Sequence, residues 1–224
     1  MLETGFEDRR DAGRQLAERL ARHGELTDPV VLALPRGGVP VGYEVARALD
    51  APLAPFLVRK LGVPNYEELA MGAIAAGGIR VLDDDLIERI GVPSEAVDRV
   101  VLRETQELER RQAEYDGKYA PPTMRGRTAI LVDDGIATGA SIRAAIEALR
   151  VDQPAAIVVA VPVAATDTAE ALRRTVEAVV CVVETPYLDA VGAWYRDFRQ
   201  TTDAEVLALL AEARESSSQK SGAP

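Results

Sequence analysis

The chain alternates short, continuously apolar runs with longer stretches in which apolar residues recur at helical spacing. Continuous runs are typical of strands buried on both faces, and the periodic stretches are typical of amphipathic helices. The predicted strands cover residues 30–34, 52–58, 128–132, 156–161 and 178–183. The predicted helices cover 7–23, 41–49, 93–114, 142–149, 169–176 and 203–215. This order predicts an α/β fold with a mainly parallel central sheet flanked by helices.

Three segments depart from the alternation. Residues 63–68 read Val-Pro-Asn-Tyr-Glu-Glu, a polar, proline-containing stretch that predicts a loop. Residues 71–82 predict a β-hairpin that turns at Gly77-Gly78. Within the long helix, residues 103–111 are mostly charged, which indicates a face exposed to solvent.

Composition limits the class of protein. With 224 residues, 47% hydrophobic and 28% charged, the chain predicts one domain over 1–215 and a polar, disordered tail over 216–224. Its formal net charge of −10 disfavours a broad surface for nucleic acid or anionic lipid. One cysteine and one histidine exclude a disulfide framework and multi-histidine metal sites. Without a signal pattern, and with 154–165 as its longest apolar stretch, the chain is expected to be cytoplasmic with no membrane partner.

Unusual polar residues follow three of the predicted strands. Asp133 and Asp134 come directly after the strand at 128–132, and a segment rich in glycine and hydroxyl side chains then leads into a helix. Glycine allows close backbone approach and a helix start offers free N–H groups, so this segment predicts a cradle for one phosphate. The residues that indicate this cradle are Gly135, Thr138, Gly139 and Ser141. Carboxylates beside a phosphate suit sugar hydroxyls and Mg²⁺.

Other nucleotide-binding motifs do not fit this segment. A Walker A loop ends in Gly-Lys-Ser/Thr, whereas position 140 is alanine, and a GxGxxG fingerprint is absent from the chain. Phospho-receiver domains need a lysine after a later strand, but the only lysine beyond Asp134 is Lys220 in the tail. A strand, turn and helix with solvated aspartates stays open as an alternative.

Residues 129–141, Ala-Ile-Leu-Val-Asp-Asp-Gly-Ile-Ala-Thr-Gly-Ala-Ser, resemble the phosphoribosyl-pyrophosphate (PRPP) motif of type I phosphoribosyltransferases. The resemblance implies a Rossmann-like core with a small hood and a mobile catalytic loop. It also implies that Asp133 and Asp134 contact the ribose hydroxyls. The residues implied to hold the 5-phosphate are Ala137, Thr138, Gly139, Ala140 and Ser141.

Two further strand ends resemble the same family. Residues 34–38 resemble its pyrophosphate loop, in which an Arg/Lys-Gly peptide is often cis, and residues 58–62 resemble the Arg-Lys segment that leads into the mobile loop of the adenine enzymes. An ordinary turn and a solvated surface lysine are the respective alternatives. The pyrophosphate-binding residues implied are Arg36, Gly37, Gly38, Arg59 and Lys60.

Residues 184–198 resemble, more loosely, the base-binding hood of hypoxanthine-type enzymes, and the hood is expected over 184–202. Either Trp194 or Tyr195 stacks on the acceptor base, or the aromatic cluster anchors the C-terminal element to the core. Ala137 stands where hypoxanthine-type enzymes carry an aspartate for the purine N7 proton, so Glu67 and Glu68 become candidate proton acceptors in a mobile loop over 62–70.

The resemblance implies a homodimeric enzyme of nucleotide salvage that transfers 5-phosphoribose from PRPP to a nitrogen of a base-like acceptor and releases pyrophosphate. Mg²⁺ is the implied cofactor, bound through PRPP with Asp133 and Asp134 as candidate ligands. A PRPP-binding regulatory protein without turnover and a phosphoribosyl hydrolase stay open as alternatives. A DNA-reading regulator would need a basic surface or an added helix-turn-helix, and neither is visible in this sequence.

Overall fold

The computed structural model describes residues 5–24, 26–75, 78–115 and 119–221, apart from the side chains of residues 68, 114 and 217–221. Its strands are β1 (Pro29–Ala33), β2 (Leu53–Pro55), β3 (Val58–Val63), β4 (Tyr66–Ala75), β5 (Ile79–Leu82), β6 (Thr128–Val132), β7 (Ala156–Ala165) and β8 (Ala178–Thr185). Its α-helices are α1 (Arg9–Ala21), α2 (Gly38–Leu49), α3 (Asp84–Ile90), α4 (Ser94–Glu114), α5 (Ala140–Val151), α6 (Thr166–Arg173) and α7 (Asp203–Ser221).

The central sheet has five parallel strands in the order β2-β1-β6-β7-β8. Because successive side chains of a strand point to opposite faces, each central strand contributes to two cores. Leu32 and Leu131 pack with Ile146 of α5 on one face. Val31 and Ile130 pack with α1 and α2 on the other. The predicted α/β fold, with a mainly parallel sheet flanked by helices, is confirmed.

The register of this sheet decides which chain segments meet. Ala33, the last residue of β1, pairs with Val132 of β6 and with Pro55 of β2. The segments that follow these three strands therefore leave the sheet at the same edge, where ligands of open α/β sheets bind.

A second sheet of three antiparallel strands, β3-β4-β5, differs from the expectation. The apolar run at 52–58 divides into β2 and β3, and the predicted loop at 63–68 is wrong because β3 and β4 pair as a hairpin. Asn65, with φ of 66°, makes the tight turn, since asparagine tolerates left-handed backbone. The hairpin of β4 and β5 is confirmed, although Gly77 of its predicted turn lies outside the described residues.

The helices agree with the pattern except near the C-terminus and at α3, which was not predicted. The structure continues α7 to Ser221, where the sequence analysis expects a disordered tail from residue 216. No glycine or proline interrupts residues 203–220, and the Ser216 hydroxyl donates to the Glu212 carbonyl at 3.0 Å. The last residues of that expected tail, 222–224, lie outside the described residues.

Candidate active site

The acid pair lies against the segment that follows β1. A Cβ atom added at Gly38 would lie 2.7 Å from the carbonyl oxygen of Val132 and 3.0 Å from Cα of Asp133. A Cβ atom added at Gly37 would collide with Oδ2 of Asp134. Only glycine permits this approach, so the fold brings the predicted pyrophosphate loop directly against the two aspartates.

Asp133 faces a cavity of about 360 Å³ at this edge of the sheet. The described residues that line it are Leu34, Pro35, Phe56, Leu57, Val58, Arg59, Lys60, Gly62, Glu67, Arg103, Glu104, Leu108, Arg111, Asp133 and Ser141. Burial raises the pKa of Asp133 well above its usual value, and the nearby charge of Asp134 adds to the rise. A desolvated carboxylate at a cavity wall is suited to hydrogen-bond donors or a cation supplied by a ligand.

The Asp134 carboxylate contacts Arg9, whose Nε donates to Oδ2 at 2.8 Å. Burial raises the pKa of Asp134 and the Arg9 guanidinium opposes that rise. Of the two acids, only Asp133 is among the described residues that line the cavity. The two neighbouring carboxylates therefore differ in their surroundings.

The segment predicted as the hood, residues 184–202, contacts the acid pair through a buried tyrosine. Tyr195 is 8% exposed, packs against the rings of Phe6 (centroids 5.3 Å apart) and Phe198 (4.9 Å), and donates its hydroxyl to the Asp134 carbonyl at 2.5 Å. These contacts fit the alternative in which the aromatic cluster anchors the C-terminal element, and stacking of Tyr195 on an acceptor stays a prediction. Trp194 is partly buried, and its stacking role stays a prediction.

The predicted phosphate cradle precedes α5, which begins at Ala140. Gly139 has φ of 73°, a left-handed conformation that favours glycine, and a Cβ atom there would lie 2.7 Å from Cγ2 of Thr168. The Thr168 hydroxyl donates to the Ala137 carbonyl at 2.7 Å, and Arg143 donates to the Thr138 carbonyl. With these carbonyls bound from outside, the loop can turn its N–H groups and the start of α5 toward an anion.

The pyrophosphate loop differs in two details from the expectation. The cis peptide bond joins Pro35 and Arg36, one position before the Arg-Gly peptide. The Arg36 guanidinium contacts Asp203 at the start of α7, at 3.3 Å. Pro35 is among the lining residues of the cavity, whereas the Arg36 side chain lies at the surface beside α7.

The other wall of the cavity is basic and comes from β3 and α4. Arg59 donates to Oε2 of Glu104 from Nε at 2.9 Å and from its terminal nitrogen at 2.6 Å, and Arg103 donates to Oε1 at 3.0 Å. Glu104 is buried, at 7% exposed, so the expectation of a uniformly solvated helix face is wrong at this position. Sequence reasoning missed Arg103, Glu104, Leu108 and Arg111 as lining residues.

A pattern in α4 could have revealed this wall. Positions 104, 108 and 111 recur at helical spacing and therefore share one face. An acid and an arginine on the same stripe as the buried Leu108 indicate a polar cavity rather than solvent.

Glu67 lines the same cavity from the β3–β4 hairpin, whereas the side chain of Glu68 lies outside the described residues. In the part of the chain that the structure describes, no group of three or more histidine, cysteine or carboxylate side chains is placed to hold a metal ion. A metal ion in this cavity would therefore need ligand oxygens in addition to protein carboxylates. None of the described helices is long and apolar enough to cross a membrane.

Comparisons with known proteins agree with this geometry. A protein found in two Mycobacterium tuberculosis strains, CDC 1551 / Oshkosh and H37Rv, and provisionally named a phosphoribosyl transferase, is 46% identical over 206 residues. The alignment covers 92% of this chain but 46% of that protein, so the chain spans about half the length of this curated relative. The Bifunctional protein PyrR of Brevibacillus brevis is 32% identical over 110 residues, which are 47% of this chain and 60% of that one.

The crystal structure of the protein TT1426 from Thermus thermophilus superimposes with a TM-score of 0.86 at 42% identity, covering 93% of this chain and 98% of that one. Residues 7–189 match the family of the phosphoribosyl transferase domain. Because this match extends over well more than half of the sequence, the chain belongs to the phosphoribosyl transferase domain family.

Proposed function

We propose that this domain transfers 5-phosphoribose from PRPP to a nitrogen of a base-like acceptor and releases pyrophosphate in a Mg²⁺-dependent reaction. The observation that carries the proposal is the position of Asp133. Its desolvated carboxylate shares one cavity with Ser141 in the first turn of α5 and with the basic residues Arg59 and Lys60. In PRPP, the carboxylate suits the ribose hydroxyls, the start of α5 suits the 5-phosphate, and the basic residues suit the diphosphate.

The sugar end of PRPP is assigned to the acid loop and the start of α5. Asp133 accepts hydrogen bonds from ribose hydroxyls. The 5-phosphate lies on the N–H groups of residues 137–141. A carboxylate has two oxygens and about four lone-pair sites, so Asp134 can hold Arg9 at Oδ2 and still accept a ribose hydroxyl at Oδ1.

The diphosphate end is assigned to the basic wall and to the backbone of Gly37 and Gly38. Arg59 and Lys60 lie on β3, and Arg103 and Arg111 of α4 add two guanidinium groups that sequence reasoning did not include. Positive groups placed where negative charge develops on the leaving group lower the barrier without reorganisation. The work of the protein is therefore positioning and charge stabilisation.

The residues present fit a magnesium ion that arrives with its ligand. Asp133 and Asp134 offer carboxylate oxygens, the donors that Mg²⁺ prefers, and two negative charges next to an anionic substrate repel it unless a cation lies between them. When bound, Mg²⁺ supplies charge neutralisation at the departing oxygens.

Glu67, which lines the cavity from the β3–β4 hairpin, is assigned as the base that takes the proton from the acceptor nitrogen. Ala137 carries no group that can accept a proton, so the base must come from another element. The same hairpin covers the cavity, and its closure over bound PRPP would keep water from the reacting carbon. Glu68 stays a second candidate. A cytoplasmic location and a homodimeric assembly are parts of the same proposal.

Thermal unfolding tests whether PRPP is the ligand. A ligand at 100 times its Kd stabilises the folded state by about 2.7 kcal/mol, so Mg²⁺ and PRPP together should raise Tm by about 5–10 °C. PRPP with EDTA should shift Tm much less. ATP or NAD should have little effect on Tm because the sequence has neither a Walker A loop nor a GxGxxG fingerprint. A strong shift with ATP and none with PRPP would overturn the proposal.

Pyrophosphate release then separates transfer from its alternatives. The protein is incubated with Mg²⁺ and PRPP, first alone and then with each of a panel of nitrogen bases, and nucleotide products are identified by mass spectrometry. A transferase releases pyrophosphate only with a suitable base. A hydrolase releases it without any base, and a regulatory protein binds PRPP without release.

A further inference from the structure

The N-terminal segment and the hood form one unit. Phe6 and Tyr195 form a parallel bridge, in which the Phe6 N–H donates to the Trp194 carbonyl at 2.8 Å and the Arg196 N–H donates to the Phe6 carbonyl at 2.9 Å. The Asp197 N–H also donates to the Glu7 carbonyl at 2.9 Å. Whatever moves the hood must therefore also move the segment that leads into α1.

Arg9, the first residue of α1, joins this unit to the acid pair. Its Nε donates to Oδ2 of Asp134 at 2.8 Å, and a terminal nitrogen donates to the Arg199 carbonyl of the hood at 2.8 Å. Its guanidinium carbon lies 3.9 Å from the centroid of the Phe198 ring, close enough for a cation–π contact. A single side chain, 11% exposed, thus contacts the carboxylate and two parts of the hood.

The hood contacts the same aspartate a second time through the main chain. The Tyr195 hydroxyl donates to the Asp134 carbonyl at 2.5 Å. A Cβ atom at Gly135 would lie 2.5 Å from Cγ1 of Val191, so the hood packs on the residue after the acid pair without space for a side chain. The orientation of Asp134 and the position of the hood therefore depend on the same contacts.

We propose that Arg9 is a positioning residue that couples the hood to the ribose-binding carboxylate. Its role at the ribose rests on the proposed function, whereas its role in holding the hood does not. By occupying Oδ2 from one side, Arg9 fixes the rotation of the Asp134 carboxylate and directs Oδ1 to a ribose hydroxyl. The planar guanidinium can donate in two directions while it stacks on Phe198, and a lysine ammonium lacks this geometry. Binding at the acid pair and closure of the hood then strengthen each other.

Trp194 lies in the hood and is the chain's one tryptophan, so tryptophan fluorescence reports on the hood alone. This measurement needs no ligand. Arg9→Met should increase acrylamide quenching of Trp194 fluorescence roughly twofold, because the hood opens more often once its contact with Asp134 is lost. Arg9→Lys keeps the charge but loses the stacking geometry, and it should give an intermediate value. Arg10→Met is the matched control, since Arg10 is the next residue of α1 and donates to Glu44 at 2.7 Å rather than to the acid pair or the hood. Its quenching should equal that of the wild-type protein.

A double-mutant cycle tests the coupling to Asp134. Arg9→Met leaves a buried carboxylate without its cation, so Tm should fall by about 6–20 °C. Adding Asp134→Asn removes that charge, so the double variant Arg9→Met/Asp134→Asn should have a higher Tm than Arg9→Met alone. For Mg²⁺-PRPP, measured by calorimetry, each single variant should raise Kd by about tenfold and the double variant by little more, because interacting residues are non-additive. Arg10→Met should change Kd by less than about twofold.

The outcomes separate this proposal from the proposed function. Unchanged Trp194 quenching in both Arg9 variants would overturn the coupling, whether or not PRPP binds. Increased quenching with an unchanged Kd for Mg²⁺-PRPP would also overturn it, because Arg9 would then hold the hood alone. Absence of PRPP binding by the wild-type protein would refute the proposed function, and the quenching and the melting order of the variants would still decide whether Arg9 couples the hood to Asp134.

Discussion

The two walls of the cavity are built in different ways. The acidic wall is Asp133 at the end of β6, and its neighbour Asp134 is held by Arg9 and the Tyr195 hydroxyl, which are themselves buried. The basic wall is more exposed on α4, where Arg103 is 59% and Arg111 is 38% exposed, whereas Arg59 of β3 pairs with the buried Glu104. Exposed ion pairs contribute about 0–1 kcal/mol, whereas breaking a buried pair costs about 3–5 kcal/mol.

This difference indicates a division of labour. The acidic wall is preorganised, and its orientation is set before any ligand arrives. That arrangement has a cost, because burial raises the pKa of both Asp133 and Asp134 and so disfavours their charged forms in the folded protein. In the basic wall, Arg59 is held by the buried Glu104, and the exposed guanidinium groups of α4 are free to adjust to the proposed diphosphate.

The largest expected effect is at the acidic wall. Asp133→Asn should raise the Kd for Mg²⁺-PRPP by about 100-fold, since hydrogen bonds to a charged acceptor are each worth about 1.5–3 kcal/mol. The same variant should keep or raise Tm, because a neutral amide removes the cost of a desolvated charge. Calorimetry and thermal unfolding measure the two effects. Wild-type affinity in Asp133→Asn would remove Asp133 from the ribose site.

A smaller effect is expected where the phosphate cradle joins the acidic wall. Gly139→Ala should weaken Mg²⁺-PRPP binding by about tenfold, because its Cβ atom would meet Thr168 and displace the loop. Gly126→Ala is the control, since Gly126 has φ of 75° and a Cβ atom there would meet nothing within 4 Å. Both variants should lose about 1 kcal/mol of folding stability from left-handed backbone, but only Gly139→Ala should lose affinity. Equal affinities would contradict a cradle at Gly139.

The smallest effect is expected at the basic wall. Arg110 and Arg111 both donate to Glu107, at 2.8 and 2.9 Å, but only Arg111 is among the described residues that line the cavity. Arg111→Met should raise the Kd for Mg²⁺-PRPP by about three- to fivefold, with a stronger effect at low salt because exposed charges are screened. Arg110→Met removes an equivalent ion pair and should leave affinity unchanged. If the two variants behave alike, α4 is not part of the anion site.

The sequence predicted the acidic wall well because its elements are contiguous. Residues 128–151 contain the strand, the two aspartates, the glycine-containing turn and α5. The hydrophobic period and the turn residues of this one segment therefore indicate the order of strand, loop and helix. The basic wall was missed in part, since the stripe at 104, 108 and 111 lies in a segment of α4 that is otherwise charged and typical of a solvated face. The packing of Leu108 with residues of β3 shows that this stripe faces the protein.

The sequence by itself determined the parallel sheet and the position of the acid pair and the glycine-containing turn directly after a strand, because hydrophobic period and local backbone requirements are encoded by neighbouring residues. Tertiary structure decided which acid lines the cavity, that Tyr195 is buried, and that residues 63–68 belong to the β3–β4 hairpin rather than to a loop. It also decided that Arg9 pairs with Asp134, from which it is separated by 125 residues in sequence. Contacts of that separation depend on how the whole chain packs, and no local pattern records which distant side chain will compensate a buried charge.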